Sequence, residues 1–245
     1  MINDETEEIL AQIFGRNTGW SSDEVDLVKL CPGFNDIKSL AELLSGKPSE
    51  ESLQKFLEER PQILFGLFGQ GDDSDLAFIT KPNVGNLYRA DFAILNVGQG
   101  GCFIHLVELE NSSDPLFTSK STPAKTLQSA IGQVLDWSQW IEENRPTFVT
   151  DIIRIAKNLP QFPEKSKNSS FRLRTPESIE QSWRAFGGYE FPAIRYSIIA
   201  IRWATMSDDH KKRLVFMNSK ENKEFTVFTY DRVARRAYDR PAVWP

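Results

Sequence analysis

Two apolar runs, residues 87–95 and 102–110, flank the segment Asn96-Val97-Gly98-Gln99-Gly100-Gly101. Its glycines supply the positive φ angles that a tight hairpin needs, so the fold must contain an antiparallel pair here. No helix is expected to follow the glycines, which argues against a phosphate-cradling loop. Three acids interrupt the runs: Asp91 in the first, Glu108 and Glu110 in the second. Strand residues two apart share a face, so the two glutamates point the same way. A turn centred near residues 98 and 99 pairs positions whose numbers sum to about 197 to 199, which sets Asp91 opposite Leu106 or Glu108. Either register gathers all three carboxylates on one face. Their charged forms repel and are costly to bury without a cation. A divalent ion relieves the conflict: Mg²⁺ takes one or two carboxylates, waters and a backbone carbonyl, for which Leu109 is suitably placed. The alternative is a solvent-facing strand edge carrying three ordinary acids.

Around this hairpin the pattern alternates between helix and strand. Ser21 to Glu24 reads as a capping box, Ile37–Leu44 as a short amphipathic helix closed by Gly46, and Glu50–Glu59 as a helix opened by Pro48-Ser49 and stopped by Pro61. Leu76–Lys81 is a weakly alternating strand. A long helix is expected over Ala124–Glu143, ended by Asn144 and Pro146. A surface excursion over residues 158–192 contains a short helix near Ile179–Phe186. Strands over Arg195–Trp203 and Phe225–Tyr230 and a basic helix over Asp231–Tyr238 close the chain.

The net charge of −5 argues against a uniformly basic nucleic-acid binder. It conceals an asymmetry, however. Residues 1–144 hold 10 Lys and Arg against 23 Asp and Glu, and residues 145–245 hold 19 against 11. Arg232, Arg235 and Arg236 have helical spacing and form a candidate phosphate-docking stripe, and Arg202 follows a strand as a candidate site-facing cation. Pairing with the acidic half is the other use for that stripe. Two cysteines and two histidines are too few for a zinc cage. The acidic N-terminus has no signal-peptide character, and the longest uncharged stretch is too short and too glycine-rich to span a membrane. A cytoplasmic protein without membrane contact is therefore expected.

Asp91 followed by Glu108-Leu109-Glu110 resembles the PD-(D/E)xK pattern of restriction-endonuclease-like nucleases. The opening helix Glu50-x-x-Leu53-Gln54-x-Phe56-Leu57-Glu58-x-x-Pro61-x-Ile63-Leu64 resembles, more narrowly, that of the Shedu anti-phage defence family. So do Val107 to Asn111, Pro115-Leu116-Phe117, Ala130-x-x-Gln133-x-x-x-Trp137, Ile198 to Arg202 and Val227 to Asp231, in the same order along the chain.

The resemblance implies an α/β fold, a restriction-endonuclease-like mixed central sheet flanked by helices, over residues 48–245. A helical extension, residues 1–47, would precede it in a regulatory or assembly role. It implies a Mg²⁺- or Mn²⁺-dependent endonuclease, with DNA as the expected partner and self-association into a homo-oligomer. Asp91 and Glu108 match the family's metal-binding acids. Glu50 matches an acid that completes the metal shell, or is a solvated helix residue. Gln133 matches a helix glutamine beside the active site, or serves helix packing. Glu110 stands where the pattern has lysine; it can ligate a second metal or accept a proton from water, but it cannot neutralise phosphate. Lys125, at the start of the next helix, is a candidate spatial substitute. If Glu110 has cost the chain its catalysis, what remains is a nuclease fold that binds nucleic acid or partner proteins.

Overall fold

A computed structural model describes residues 34–69, 75–98, 100–162, 164, 169–219 and 225–239. The capping box at Ser21 and the tip residue Gln99 lie outside them. In chain order the elements are α1 (Phe34–Ser45), α2 (Glu50–Glu59), α3 (Gln62–Phe68), β1 (Asp75–Thr80), β2 (Asn83–Val84), β3 (Tyr88–Arg89), β4 (Phe92–Gly98) and β5 (Gly101–Leu109). There follow α4 (Lys125–Asn158), β6 (Phe171–Arg172), α5 (Pro176–Ala185), β7 (Ala193–Ile199), a 3₁₀ turn (Trp203–Thr205), α6 (Asp208–Ser219), β8 (Phe225–Phe228) and α7 (Tyr230–Asp239).

Six strands form one mixed sheet in the order β6-β1-β4-β5-β7-β8. The β6, β1, β4 and β5 neighbours are antiparallel, whereas β5, β7 and β8 run parallel. The expected hairpin forms with Phe92 opposite Val107 and Gly98 opposite Gly101, and Gly101 takes a φ of +110°. Each sheet face is covered by helices, as the α/β expectation requires. One core joins Ala93, Leu95, Ile104, Leu106 and Ile198 to Leu127, Ala130, Val134, Trp137 and Ile141 of α4. The other joins Phe92, Ile94, Val107 and Leu109 to α1, α2, α3 and α7. Alternation along β4 and β5 therefore decides which core each residue enters.

Several boundaries differ from expectation for local physical reasons. The long helix does not stop at Asn144. That residue leaves helical geometry at φ −128° and ψ 23°, and its side-chain amide donates to the Trp140 carbonyl at 2.9 Å. The chain then resumes as helix, with Pro146 near the start of the new segment, where a missing N–H costs nothing. Pro61 likewise ends α2 but opens α3. The strand expected over residues 87–95 is split at Ala90 and Asp91 into β3 and β4, and the closing strands end earlier than expected, at Ile199 and Phe228. The free edge of β8 is occupied by Asn218: its amide donates to the Val227 carbonyl at 2.8 Å, and its Oδ1 accepts from the Val227 N–H at 3.0 Å. A strand edge is thus closed by one side chain of α6.

Helices α3 and α7 meet at Gly66. A Cβ at that position would lie 2.5 Å from the Ala237 Cα, and the obstacle is backbone that cannot swing aside. Gly66→Ala is therefore expected to cost roughly 1–3 kcal/mol, read as a lowered denaturant midpoint with an unchanged slope.

Candidate active site

The site lies where β1 and β5 end and β4 begins, at one end of the sheet. Asp91 precedes β4, and its N–H donates to the Val107 carbonyl at 3.0 Å, so the chain is leaving the ladder there. The side chain then takes over. Oδ2 of Asp91 accepts the Leu109 N–H at 2.8 Å, doing for β5 what a strand carbonyl would have done. Oδ1 accepts from Nζ of Lys81 at 3.2 Å. Extending the Phe92–Val107 register by one residue sets Asp91 opposite Glu108, one of the two registers expected.

Glu108 and Glu110 follow on β5 and on the residue just after it, both 8% exposed. The backbone of Glu110 is held from two sides: its N–H donates to the Ile199 carbonyl at 2.8 Å, and its carbonyl accepts the Tyr230 hydroxyl at 2.9 Å. Since Tyr230 is fully buried at the start of α7, the second core fixes the direction in which Glu110 can point.

Helix α2 supplies a second wall. Ser49 caps it by accepting the Ser52 N–H, and Leu53 and Leu57 are buried in the second core. Glu50 and Gln54, four apart, share a helix face. Gln54 Oε1 accepts from Lys81 Nζ, tying α2 to the sheet. Asp114, in the connection after β5, accepts from Thr126 in the first turn of α4 at 3.5 Å.

Crowding acids in a half-dry corner raises their proton affinity. Burial first, then Asp91, Glu110 and Glu50, push the Glu108 carboxyl up to about 9, against the pull of Lys81. Burial, then Glu50, Asp91 and Asp114, lift Glu110 to about 7. Glu50 is exposed on its helix, yet its carboxyl is also raised, by burial and Asp91, opposed by Lys81, with Asp114 adding to the rise. One lysine therefore faces more negative charge than it offsets. The donors are all hard oxygens, the kind that Mg²⁺ and Mn²⁺ select. Among the described residues no three His, Cys, Asp or Glu side chains close around one point. Mg²⁺ does not require such a cage, because it retains several waters and uses one or two carboxylates. The donor set thus fits such an ion by its chemistry.

Asp91, Glu108, Glu110 and Glu50 come within one electrostatic neighbourhood. The other expected residues lie differently. Gln133 is exposed on α4, seven residues beyond Thr126 and so on the same helical stripe. Lys125 is exposed at the first position of α4. Arg202 lies at the same end of the sheet, beyond β7, but is 8% exposed and paired with Asp231 at 3.2 Å. The other Asp231 oxygen accepts the Trp203 N–H at 2.7 Å. Arg232 and Arg235 are exposed and Arg236 is half-buried on α7, while Val233, Ala234 and Ala237 of that helix face the core.

The family model for the C-terminal part of Shedu protein SduA matches residues 47–233. The chain belongs to the Shedu family. That family is linked to anti-phage defence and to nuclease activity. A comparison with curated proteins found no match. The mixed sheet with helices on both faces agrees with the restriction-endonuclease-like fold expected for a Shedu protein, and no helix among the described residues is long and apolar enough to cross a membrane.

Four residues of this corner are not among the candidate site residues that the sequence offers: Lys81, Gln54, Asp114 and Tyr230. Gln54 alone carried a readable signal, its spacing of four from Glu50. The other three are assembled by strand ends and a helix start that are distant in the chain.

The raised carboxyls make stability depend on pH. An unfolded glutamate titrates near 4.5, and Glu108 in the fold near 9, so its contribution is whole below pH 4.5 and is lost as pH rises toward 9. In EDTA, the melting temperature of Glu108→Gln relative to the unsubstituted protein is expected to climb between about pH 5 and pH 9. A difference independent of pH would contradict the burial of this charge.

Proposed function

We propose that the protein is a divalent-metal-dependent endonuclease that hydrolyses phosphodiester bonds in DNA during anti-phage defence. The observation that carries this reading is the burial, side by side, of Asp91, Glu108 and Glu110 with, among the described residues, Lys81 to offset them, in a member of the Shedu family. Such an arrangement costs stability and has a use when a cation and a phosphate are to be held there.

In this reading Asp91 and Glu108 hold a Mg²⁺ or Mn²⁺ ion, with Glu50 and the Leu109 carbonyl as further oxygen donors. The bound ion would polarise the phosphate and lower the pKa of a water. Glu110, lifted to about 7, has the proton affinity of a general base near neutral pH. It takes a proton from the attacking water as the water oxygen bonds to phosphorus and the P–O bond to the leaving oxygen breaks. Arg232 and Arg235, exposed on α7, are more accessible to the DNA backbone than Arg202, which is buried. Lys125 and Gln133 stand exposed along α4, where a strand of DNA reaching the carboxylates would pass. Several copies of the chain acting together, as the family resemblance implies, would place more than one such site on the DNA.

The purified protein, given plasmid and linear DNA with Mg²⁺ or Mn²⁺, is expected to cut, and EDTA to stop it. Asp91→Ala and Glu108→Ala should each lower the rate by on the order of 10²-fold or more. Cleavage that persists equally in both variants would sink the assignment. Salt-sensitive binding without turnover in any metal would instead identify a nuclease fold that has kept its substrate and lost its chemistry.

A further inference from the structure

We propose that the ammonium of Lys81 is the cation that meets the scissile phosphate in this site, an assignment that rests on the nuclease reading above. A phosphodiester adds negative charge to a corner already holding Glu50, Asp91, Glu108 and Glu110. With a metal ion bound and these acids ionised, none of them can donate to a non-bridging phosphate oxygen, so a hydrogen-bond donor must come from elsewhere. Lys125 and Arg202, the cations that sequence position favours, are respectively exposed at the first turn of α4 and bound to Asp231. Among the described residues, Lys81 is the cation joined to a site carboxylate, through the 3.2 Å contact with Asp91 Oδ1.

Its placement is built. Lys81 adopts a φ of +51°, a left-handed conformation unfavourable for lysine and unusual before a proline such as Pro82. The surroundings hold it there: its N–H donates to the Asp91 carbonyl at 2.8 Å, and the Ala90 N–H donates to the Pro82 carbonyl at 3.1 Å. Strain of this kind persists where neighbouring structure over-determines it, and it clusters at working sites. The side chain is then tethered between β4 and α2. Asp91 and Gln54 take two of the three ammonium donors, and the third is left for a ligand. The side chain is 36% exposed, so the charge is aimed from the protein yet open to an incoming group.

This role differs from that of a strut for Asp91. A strut, once removed, would loosen Asp91 and weaken metal binding together with cleavage. A phosphate-facing cation, once removed, would impair cleavage alone, and would free Asp91 Oδ1 for the ion. The test therefore reads both. Mn²⁺ affinity of the full chain without DNA would be measured by calorimetry, and the cleavage rate at saturating metal and DNA, for the unsubstituted protein, Lys81→Met and Lys81→Arg. Lys81→Met is expected to bind Mn²⁺ at least as tightly and to cleave roughly 10²-fold more slowly. Lys81→Arg, which keeps the charge and the donors, is expected to recover at least about tenfold of that loss, and it carries the test if the methionine variant does not fold. Cleavage by Lys81→Met within threefold of the unsubstituted protein, no advantage of arginine over methionine, or metal affinity lost in parallel with cleavage would each overturn the assignment of Lys81 while leaving the nuclease reading intact. Absence of cleavage by the unsubstituted protein in every metal would overturn the nuclease reading, and this assignment with it.

Discussion

Where β4 begins, the antiparallel ladder runs out two residues before β5 does, and the carboxylate of Asp91 makes up the difference. By accepting the Leu109 N–H at 2.8 Å it extends the pairing of β5, and by holding Lys81 it ties in the end of β1. Three strand ends, and through Gln54 the helix α2, thus converge on one charged group. Glu108 and Glu110 are displayed on the strand that this contact completes. The conformation of the corner depends on a side chain with the wrong solvation preference for its place, about 9% exposed, and this is why its partners are so specific.

The electrostatic tension that follows has no full remedy within the described chain. Lys81 lowers the proton affinity of its acidic neighbours, but burial and mutual repulsion still carry Glu108 to about 9 and Glu110 to about 7. A carboxyl near 9 is largely protonated at neutral pH, and a cation would draw that proton off. The Glu110 value lies where a base can both receive and release a proton. The two glutamates, identical in sequence chemistry and two residues apart, are driven to different proton affinities because Glu108 is enclosed by the sheet while Glu110 stands at its rim. Separation of this sort is how equivalent acids come to divide a task. Tyr230 contributes through the backbone: fixed in the second core, it holds the Glu110 carbonyl and so the direction of the rim.

Much of the architecture was legible from short-range rules. The glycines between residues 96 and 101 demanded a hairpin, and the period-two placement of Asp91, Glu108 and Glu110 put them on one face, within the expected register. Helix α2 occupies the range that its Ser49 cap and Pro61 stop imply. Failures came where one local signal permitted two outcomes. Pro146 has the signature of a stop although proline starts helices equally well, and only the next segment's packing against a core decides which occurs. The position of Arg202 after a strand makes it a candidate site cation, and its pairing with Asp231 depends on α7 folding back beside β7, a contact that no spacing rule contains.

By itself, then, the sequence determined the hairpin, the α/β layering and the shared face of three acids, because each follows from backbone period, turn geometry or apolar patterning over a few residues. It also carried membership of the Shedu family across residues 47–233. Tertiary structure alone decided which charges meet. Lys81 and Asp91 are ten residues apart, Gln54 and Lys81 twenty-seven, Glu110 and Tyr230 a hundred and twenty, and those contacts exist because β1, β4 and β5 end together while helices from both halves of the chain close over one sheet. Electrostatic interaction falls off with distance and rises with burial. Both are properties of the assembled fold, so the site's proton affinities and the tethering of Lys81 could not be read before the strands were laid side by side.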